Sequence, residues 1–192
     1  MSSIVERIRT HIQDPTLTTS INAFSPRKHS LFPPTTQAVV DAAEDELGFR
    51  LPPLLRELYA QVGNGGFGPG YGIFGLEGGY IDHDIINNFE GGTLVEWYFA
   101  FRGRDNRIPE LKHEFDFEDN FSLFIDPEPK LDNWGWFDKL VPICNHGCWQ
   151  LSCIDCSKPN FPVLFFIGYG CEFQLASFTF DQWLEDWLLH PS

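Results

Sequence analysis

Apolar residues follow two rhythms along this chain. Ile4, Val5, Ile8 and Ile12 recur at helical spacing, which predicts a short amphipathic helix at the N-terminus. Asp14-Pro15 stops it, because a residue before proline is driven out of the helical region. Residues 16–34 hold three prolines and several Ser and Thr, and predict a surface arm. A second helix is predicted from Thr35 or Thr36, with a hydroxyl available as cap and with Val39, Ala43 and Leu47 facing inward. In a third, from about Pro53 to Val62, Leu54, Leu58 and Val62 form a stripe, and Leu55 and Tyr59 fill the same side. Pro52 or Pro53 suits its first turn, and Gly63 is placed to end it in a left-handed cap. Leu94–Arg102 predicts a helix with Trp97, Tyr98 and Phe101 facing in. The last helix opens with Thr179 and Gln182 as a capping box and docks through Trp183, Leu184, Trp187 and Leu188. Strand patterns occupy Tyr71–Leu76, Phe121–Asp126, Trp149–Asp155, Val163–Tyr169 and Glu172–Ala176. Helices, then strands, then a helix imply a single α+β domain, a mainly antiparallel sheet packed against N-terminal and C-terminal helices.

Between the third helix and the first predicted strand lies a glycine-rich corner. Gly63-Asn64-Gly65-Gly66-Phe67-Gly68 satisfies the spacing of a dinucleotide-binding motif. That motif needs a strand before the glycines and a helix after them, so that a pyrophosphate meets the helix N-terminus. Here the order is reversed, so Gly65, Gly66, Gly68 and Gly70 are read as a sharp turn with close backbone approach.

The segment EDELGFRLPPLLRELYAQVGNGGFGPGYGIFGL, residues 44–76, resembles the hallmark of the SUKH superfamily, the Smi/Knr-type cell-wall regulators and related bacterial immunity proteins. Leu47, Gly48, Phe49, Leu51, Pro52, Tyr59, Asn64, Gly65, Gly66, Tyr71, Gly72 and Phe74 match its pattern in order. Leu140-Val141-Pro142-Ile143, Gly147 and Leu151–Asp155 look like the family's later strand pair, and Phe180–Trp187 like its closing helix. The resemblance covers roughly residues 35–189, is tight over 44–76 and loose over 80–135. It implies a SUKH-like domain over 35–189, which the N-terminal helix and surface arm read from the pattern of residues 1–34 precede. Leu51, Pro52, Asn64, Gly65, Gly66, Tyr71 and Phe74 are then motif residues serving the fold. The sequence departs from the pattern after Ile143, where cysteines stand in a segment expected to be a glycine-rich turn and a strand.

A length of 192 residues suits one well-buried core, and 43% hydrophobic content with 19 Phe and 6 Trp argues against disorder. Glu6, Arg7 and Arg9 interrupt the first twelve residues, so these lack the apolar core of a signal peptide. No apolar run is long enough to span a bilayer. A cytoplasmic location is expected, and five cysteines there are expected as thiols.

Charge narrows the function. Thirteen basic and 27 acidic residues leave −14. From His113 to Ser192 there are 3 basic and 13 acidic residues, a net of −10, against −4 for the first 112. Direct binding to nucleic acid is disfavoured, because phosphates are repelled. A basic protein partner is favoured in rate and selectivity. Glu114, Asp116, Glu118 and Asp119 alternate with Phe115, Phe117 and Phe121; Asp126, Glu128, Asp132 and Asp138 surround Trp134, Trp136 and Phe137. Carboxylates steer and aromatics supply contact area, so Glu114, Asp116, Glu118, Asp119, Asp126, Glu128, Trp134 and Trp136 are the predicted partner-binding residues. The competing reading is a loop that buries its rings and leaves its carboxylates in water.

Catalytic and metal chemistry is weakly supported. Cys144, His146, Cys148, Cys153 and Cys156 offer soft ligands, and Cys153 and Cys156 have ligand spacing. Yet Trp149–Asp155 reads as a strand on which Cys153 shares a face with Leu151 and Asp155, which makes it a small core residue. No second close Cys or His pair stands at a distance, and Cys171 is isolated in sequence. Cys144 and His146 could pair, but nothing predicts a lowered thiol pKa. Asp82-His83-Asp84 is read as a solvated loop after Gly78-Gly79, with no third partner to name. No cofactor, metal or catalytic residue is therefore expected.

The expectation is a non-catalytic binding module. The resemblance implies an immunity protein that neutralises a cognate, basic, nuclease-type toxin. The alternatives are a regulatory or scaffold protein of the cell-wall-regulator type, whose expected long disordered flanks are not seen, and a zinc- or thiol-dependent enzyme using Cys144–Cys156.

Overall fold

A computed structural model describes residues 3–14, 31–82, 92–102, 137–148, 150–167 and 172–190. Among them, helices α1 (Ile4–Gln13), α2 (Gln37–Leu47), α3 (Pro53–Gln61) and α4 (Leu94–Phe101) precede strands β1 (Leu140–Gly147), β2 (Gln150–Asp155), β3 (Val163–Ile167) and β4 (Glu172–Ser177). Helix α5 (Phe180–Leu189) closes the chain. The strands form one antiparallel sheet in the order β1-β2-β3-β4. The domain is α+β, with helices at both ends as the apolar rhythms predict. The predicted strand over Phe121–Asp126 lies outside the described residues.

Local chemistry explains most helix boundaries. Ser3 accepts from the Glu6 amide and starts α1, whose Val5 and Ile8 are buried. Thr93 and Glu96 cap α4 reciprocally: the Thr93 amide donates to Glu96 Oε2 at 2.8 Å, and the Glu96 amide donates to Thr93 Oγ1 at 3.3 Å. Thr179 caps α5 by accepting from the Gln182 amide at 3.0 Å. Two expectations change. Thr36 stands at the N-cap of α2, but its hydroxyl makes no capping bond. Gly63 does not end α3 in a left-handed cap, since the C-cap is Val62 at φ −105°. Gly63 instead permits close approach: a methyl there would meet the Phe32 carbonyl oxygen at 2.6 Å and Leu31 Cδ1 at 2.7 Å. The left-handed cap belongs to α2, at Gly48, φ +80°.

A third correction concerns Tyr71–Leu76, which is not a regular strand. Gly72 at φ +98° breaks the pleat and leaves one isolated bridge, Ile73 to Cys144. The segment still runs along the open side of β1. The Tyr71 amide donates to the Asn145 carbonyl and the Phe74 amide to the Ile143 carbonyl, each at 2.8 Å.

The core joins this corner to the sheet through aromatic rings. Phe74 stacks on Trp97 at 5.5 Å between centroids, and Trp97 stacks on Phe101 at 5.8 Å. Phe101 meets Phe166 edge-on at 6.2 Å, and Phe166 meets Phe173 at 4.9 Å. Such pairs stabilise by about 0.5–1.5 kcal/mol each beyond their burial. Tyr59, fully buried, donates its hydroxyl to the Phe74 carbonyl at 2.6 Å and ties α3 to the corner.

Candidate functional site

Two polar centres stand out among the described residues, both next to the glycine-rich corner or its helices. The first is Asn64. Its side chain accepts from the Leu76 amide at 2.8 Å and donates to the Glu77 carbonyl at 3.0 Å. Its backbone carbonyl accepts from the Tyr80 amide at 2.9 Å, and its own amide donates to the Pro33 carbonyl at 3.1 Å. One residue thus sutures the segment before α2, the end of α3 and the turn at residues 76–80. Gly65, Gly66, Gly68 and Gly70 all have positive φ, as the turn reading requires. At Gly65 a methyl would lie 2.6 Å from the Gly75 amide nitrogen, so backbone fills that space. Leu51 and Pro52 are buried at the start of α3, and Phe74 is in the core. Leu51, Pro52, Asn64, Gly65 and Phe74 are thus held inside the fold.

The second centre lies on β1 beneath the corner. Cys144 donates its thiol to the Pro69 carbonyl, with the sulfur 3.1 Å from the oxygen. His146 Nε2 lies 3.4 Å from Cys144 Sγ and 2.9 Å from Ser152 Oγ, and the imidazole meets Phe165 edge-on at 5.2 Å. β1 is bulged around residues 143 and 146. Cys144 and His146 share a face as residues two apart on a strand do, and the register sets Ser152, which the sequence reading did not name, opposite Cys144. Asn145 donates to Asp82 Oδ2 at 2.7 Å and accepts from the Gly147 amide at 2.7 Å. Asp82 is fully buried, which corrects its assignment to a solvated loop. A carboxylate is tolerated there because it accepts a short hydrogen bond from Asn145. His83 and Asp84 lie outside the described residues.

The electrostatics oppose nucleophilic chemistry. Burial pushes the Cys144 thiol well up, and the negative charge of Asp82 adds to the rise. Burial also pushes the His146 imidazole down, to about 4. A thiolate–imidazolium pair needs both shifts reversed. The pair that the sequence left open is present in space, but in its neutral form, as a hydrogen-bonded part of the core.

Two further described cysteines, Cys153 and Cys156, also have raised thiols. Cys153 is fully buried, and burial pushes its thiol well up, with Cys144 contributing. Cys156 is pushed to about 12, chiefly by burial. Cys148 is exposed at the β1–β2 turn. Among the described residues no group of three or more His, Cys, Asp or Glu is placed to hold a metal ion.

A buried carboxylate that sequence reasoning missed is Glu44. It accepts from the Leu51 amide at 2.8 Å, is held by Arg50, and lies 3.2 Å from Arg56 Nε, so it fastens α2 to α3. The sequence signal was the pair of arginines flanking Leu-Pro-Pro.

The predicted partner-binding residues Glu114, Asp116, Glu118, Asp119, Asp126, Glu128, Trp134 and Trp136 lie outside the described residues. Just beyond them, Asp138 accepts from Arg102 at 2.7 Å. Exposed carboxylates elsewhere include Asp45 and Glu46 on α2 and Asp181 and Asp186 on α5. No described helix is long and apolar enough to cross a membrane.

No curated protein matches the chain. The SMI1 / KNR4 family (SUKH-1) model matches residues 34–186, from just before α2 to within α5, and so takes in the Asn64 suture, the corner and the sheet. With four-fifths of its length matched, the chain belongs to the SMI1/KNR4 (SUKH-1) family.

Proposed function

We propose that this protein is a non-catalytic binding module of the immunity type, which neutralises a basic, nuclease-type bacterial toxin by forming a tight complex in the cytoplasm. Members of the family often serve as immunity proteins. The observation that carries the reading is the charge: −14 overall, with −10 in the last 80 residues. A nuclease needs a cationic surface to hold phosphates, and an acidic protein seated there excludes the substrate. The binding residues in this reading are Glu114, Asp116, Glu118, Asp119, Asp126, Glu128, Trp134 and Trp136, in a domain spanning 35–189. The neutral state of the Cys144–His146 pair supports the non-catalytic part.

Co-expression with the toxin of the neighbouring gene tests it. Protection and a stable complex are expected, with an association rate that falls at least tenfold between about 0.01 and 0.15 M salt, as the Debye length shrinks from ~30 to ~8 Å. Absence of protection, or a complex whose association ignores salt, refutes it.

A further inference from the structure

Residues 103–136, which hold the predicted partner-binding side chains, leave the described fold at the end of α4 and rejoin it just before β1. The two ends meet in one place. Arg102, on the outgoing side, donates to Asp138 at 2.7 Å. Its guanidinium also sits over the Tyr98 ring, 5.6 Å from the centroid. The Tyr98 hydroxyl accepts from the Lys139 amide at 3.3 Å, so one buried α4 residue touches both ends. Rings make a second bridge. Phe101 meets Phe166, Phe166 meets Phe173, and Phe173 meets Phe137 edge-on at 5.6 Å.

The backbone of Lys139 shows that this joint is built. Its φ is +62°, in the left-handed region that residues with a side chain avoid. Such a conformation persists where its surroundings over-determine it. Here the amide is taken by Tyr98, and the carbonyl accepts from the Cys156 amide at 2.9 Å. The Arg102–Asp138 pair is by itself a weak tie, because Asp138 is 74% exposed. The buried Tyr98 and the ring bridge are shielded from that screening.

We propose that Tyr98, Arg102, Asp138 and Lys139 form a neck that positions residues 103–136 for partner binding. A segment tied at both ends to a rigid base loses less freedom on binding than one tied loosely. Tyr98 is a positioning residue: it is 2% exposed and acts through the segment, not by contact with the partner. The inference rests on the binding reading above and adds to it described residues on which recognition depends.

The test compares the full chain with Tyr98→Phe/Asp138→Ala, which opens both polar ties and keeps the rings. Asp181→Ala, at an exposed site on α5, is the control for the lost carboxylate. Spin labels on Arg104→Cys and Gly135→Cys, with Cys148 and Cys171 changed to serine, report the separation of the two ends. The double variant is expected to unfold cooperatively and to show a distance distribution about twice as broad as the wild type. Binding to the toxin of the neighbouring gene is followed by stopped flow. The variant's complex is expected to dissociate about tenfold faster than that of the wild type, with the salt dependence of association seen in the control. Tyr98→Phe alone gives the same signs at smaller size and decides the matter if the double variant does not fold. Equal distance distributions overturn the proposal, because the neck then holds nothing. So does a broadened variant whose complex lasts as long as the wild type's, or a control that dissociates as fast as the variant. A toxin that binds none of these chains overturns the immunity reading and the positioning role with it, while the label distances still decide whether the neck holds the ends.

Discussion

Replacing Asn64 by alanine separates a fold requirement from a contact residue. The side chain is 3% exposed and satisfies the amide of Leu76, which is itself fully buried. Truncation leaves that N–H without a partner, at about 1–3 kcal/mol, and deletes the bond to the Glu77 carbonyl, at about 1 kcal/mol more. The sum is about 2–4 kcal/mol, a large part of the stability of an ordinary domain. With a urea slope of about 2 kcal/mol per molar, the unfolding midpoint falls by about 1–2 M at unchanged slope. Asn64→Asp sharpens the argument. It keeps an oxygen for the Leu76 amide but turns the donor that faces the Glu77 carbonyl into a second acceptor. Its loss should equal or exceed that of alanine. If Asn64→Ala shifts stability by less than about 0.5 kcal/mol, the suture is not what holds the corner. If Asn64→Asp is as stable as the wild type, the hydrogen-bond assignment is wrong. Unchanged stability with lost partner binding would make Asn64 a contact instead.

Other measurements probe the remaining centres. His146 is lowered from 6.5 to about 4, so below pH 6.5 the unfolded chain takes up the proton first. Stability present above pH 6.5 is then lost as pH falls towards 4, by about 3 kcal/mol, and His146→Gln should flatten that limb in urea titrations at pH 7 and 4.5. Equal pH dependence in both proteins would count against a buried neutral imidazole. Among the described cysteines, Cys148 should be alkylated by iodoacetamide at pH 8 at least tenfold faster than Cys144 or Cys153, read by peptide mass spectrometry. Rapid labelling of Cys144 would reopen a thiol mechanism. Gly48→Ala and Gly65→Ala both place a side chain at positive φ. Gly48 has open space around it and should lose about 1 kcal/mol by thermal unfolding. Gly65 has backbone at 2.6 Å and should lose at least twice that; equal losses would refute the close approach.

The apolar periods and capping residues of this chain made α1, α3, α4 and α5 legible, because a helix is specified by side chains within a turn or two of one another. Family membership was legible in residues 44–76 for a related reason: Asn64 and the glycines answer local backbone demands that few other residues meet. Tertiary context decided the rest. Tyr71–Leu76 has strand composition but no regular pairing, since pairing depends on whether Gly72 can follow the edge of β1. The Cys144–His146–Ser152 cluster depends on the cross-strand register that sets Ser152 opposite Cys144, and its neutrality on burial, which no spacing encodes. Asp82 reads as a loop carboxylate until Asn145, 63 positions away, is brought to it. The docking of α1 on α5 joins residues 178 positions apart through Arg7 and Glu185. Sequence pattern records what neighbours along the chain require of one another, whereas protonation, burial and docking are set by groups that only the folded chain brings within a few ångströms.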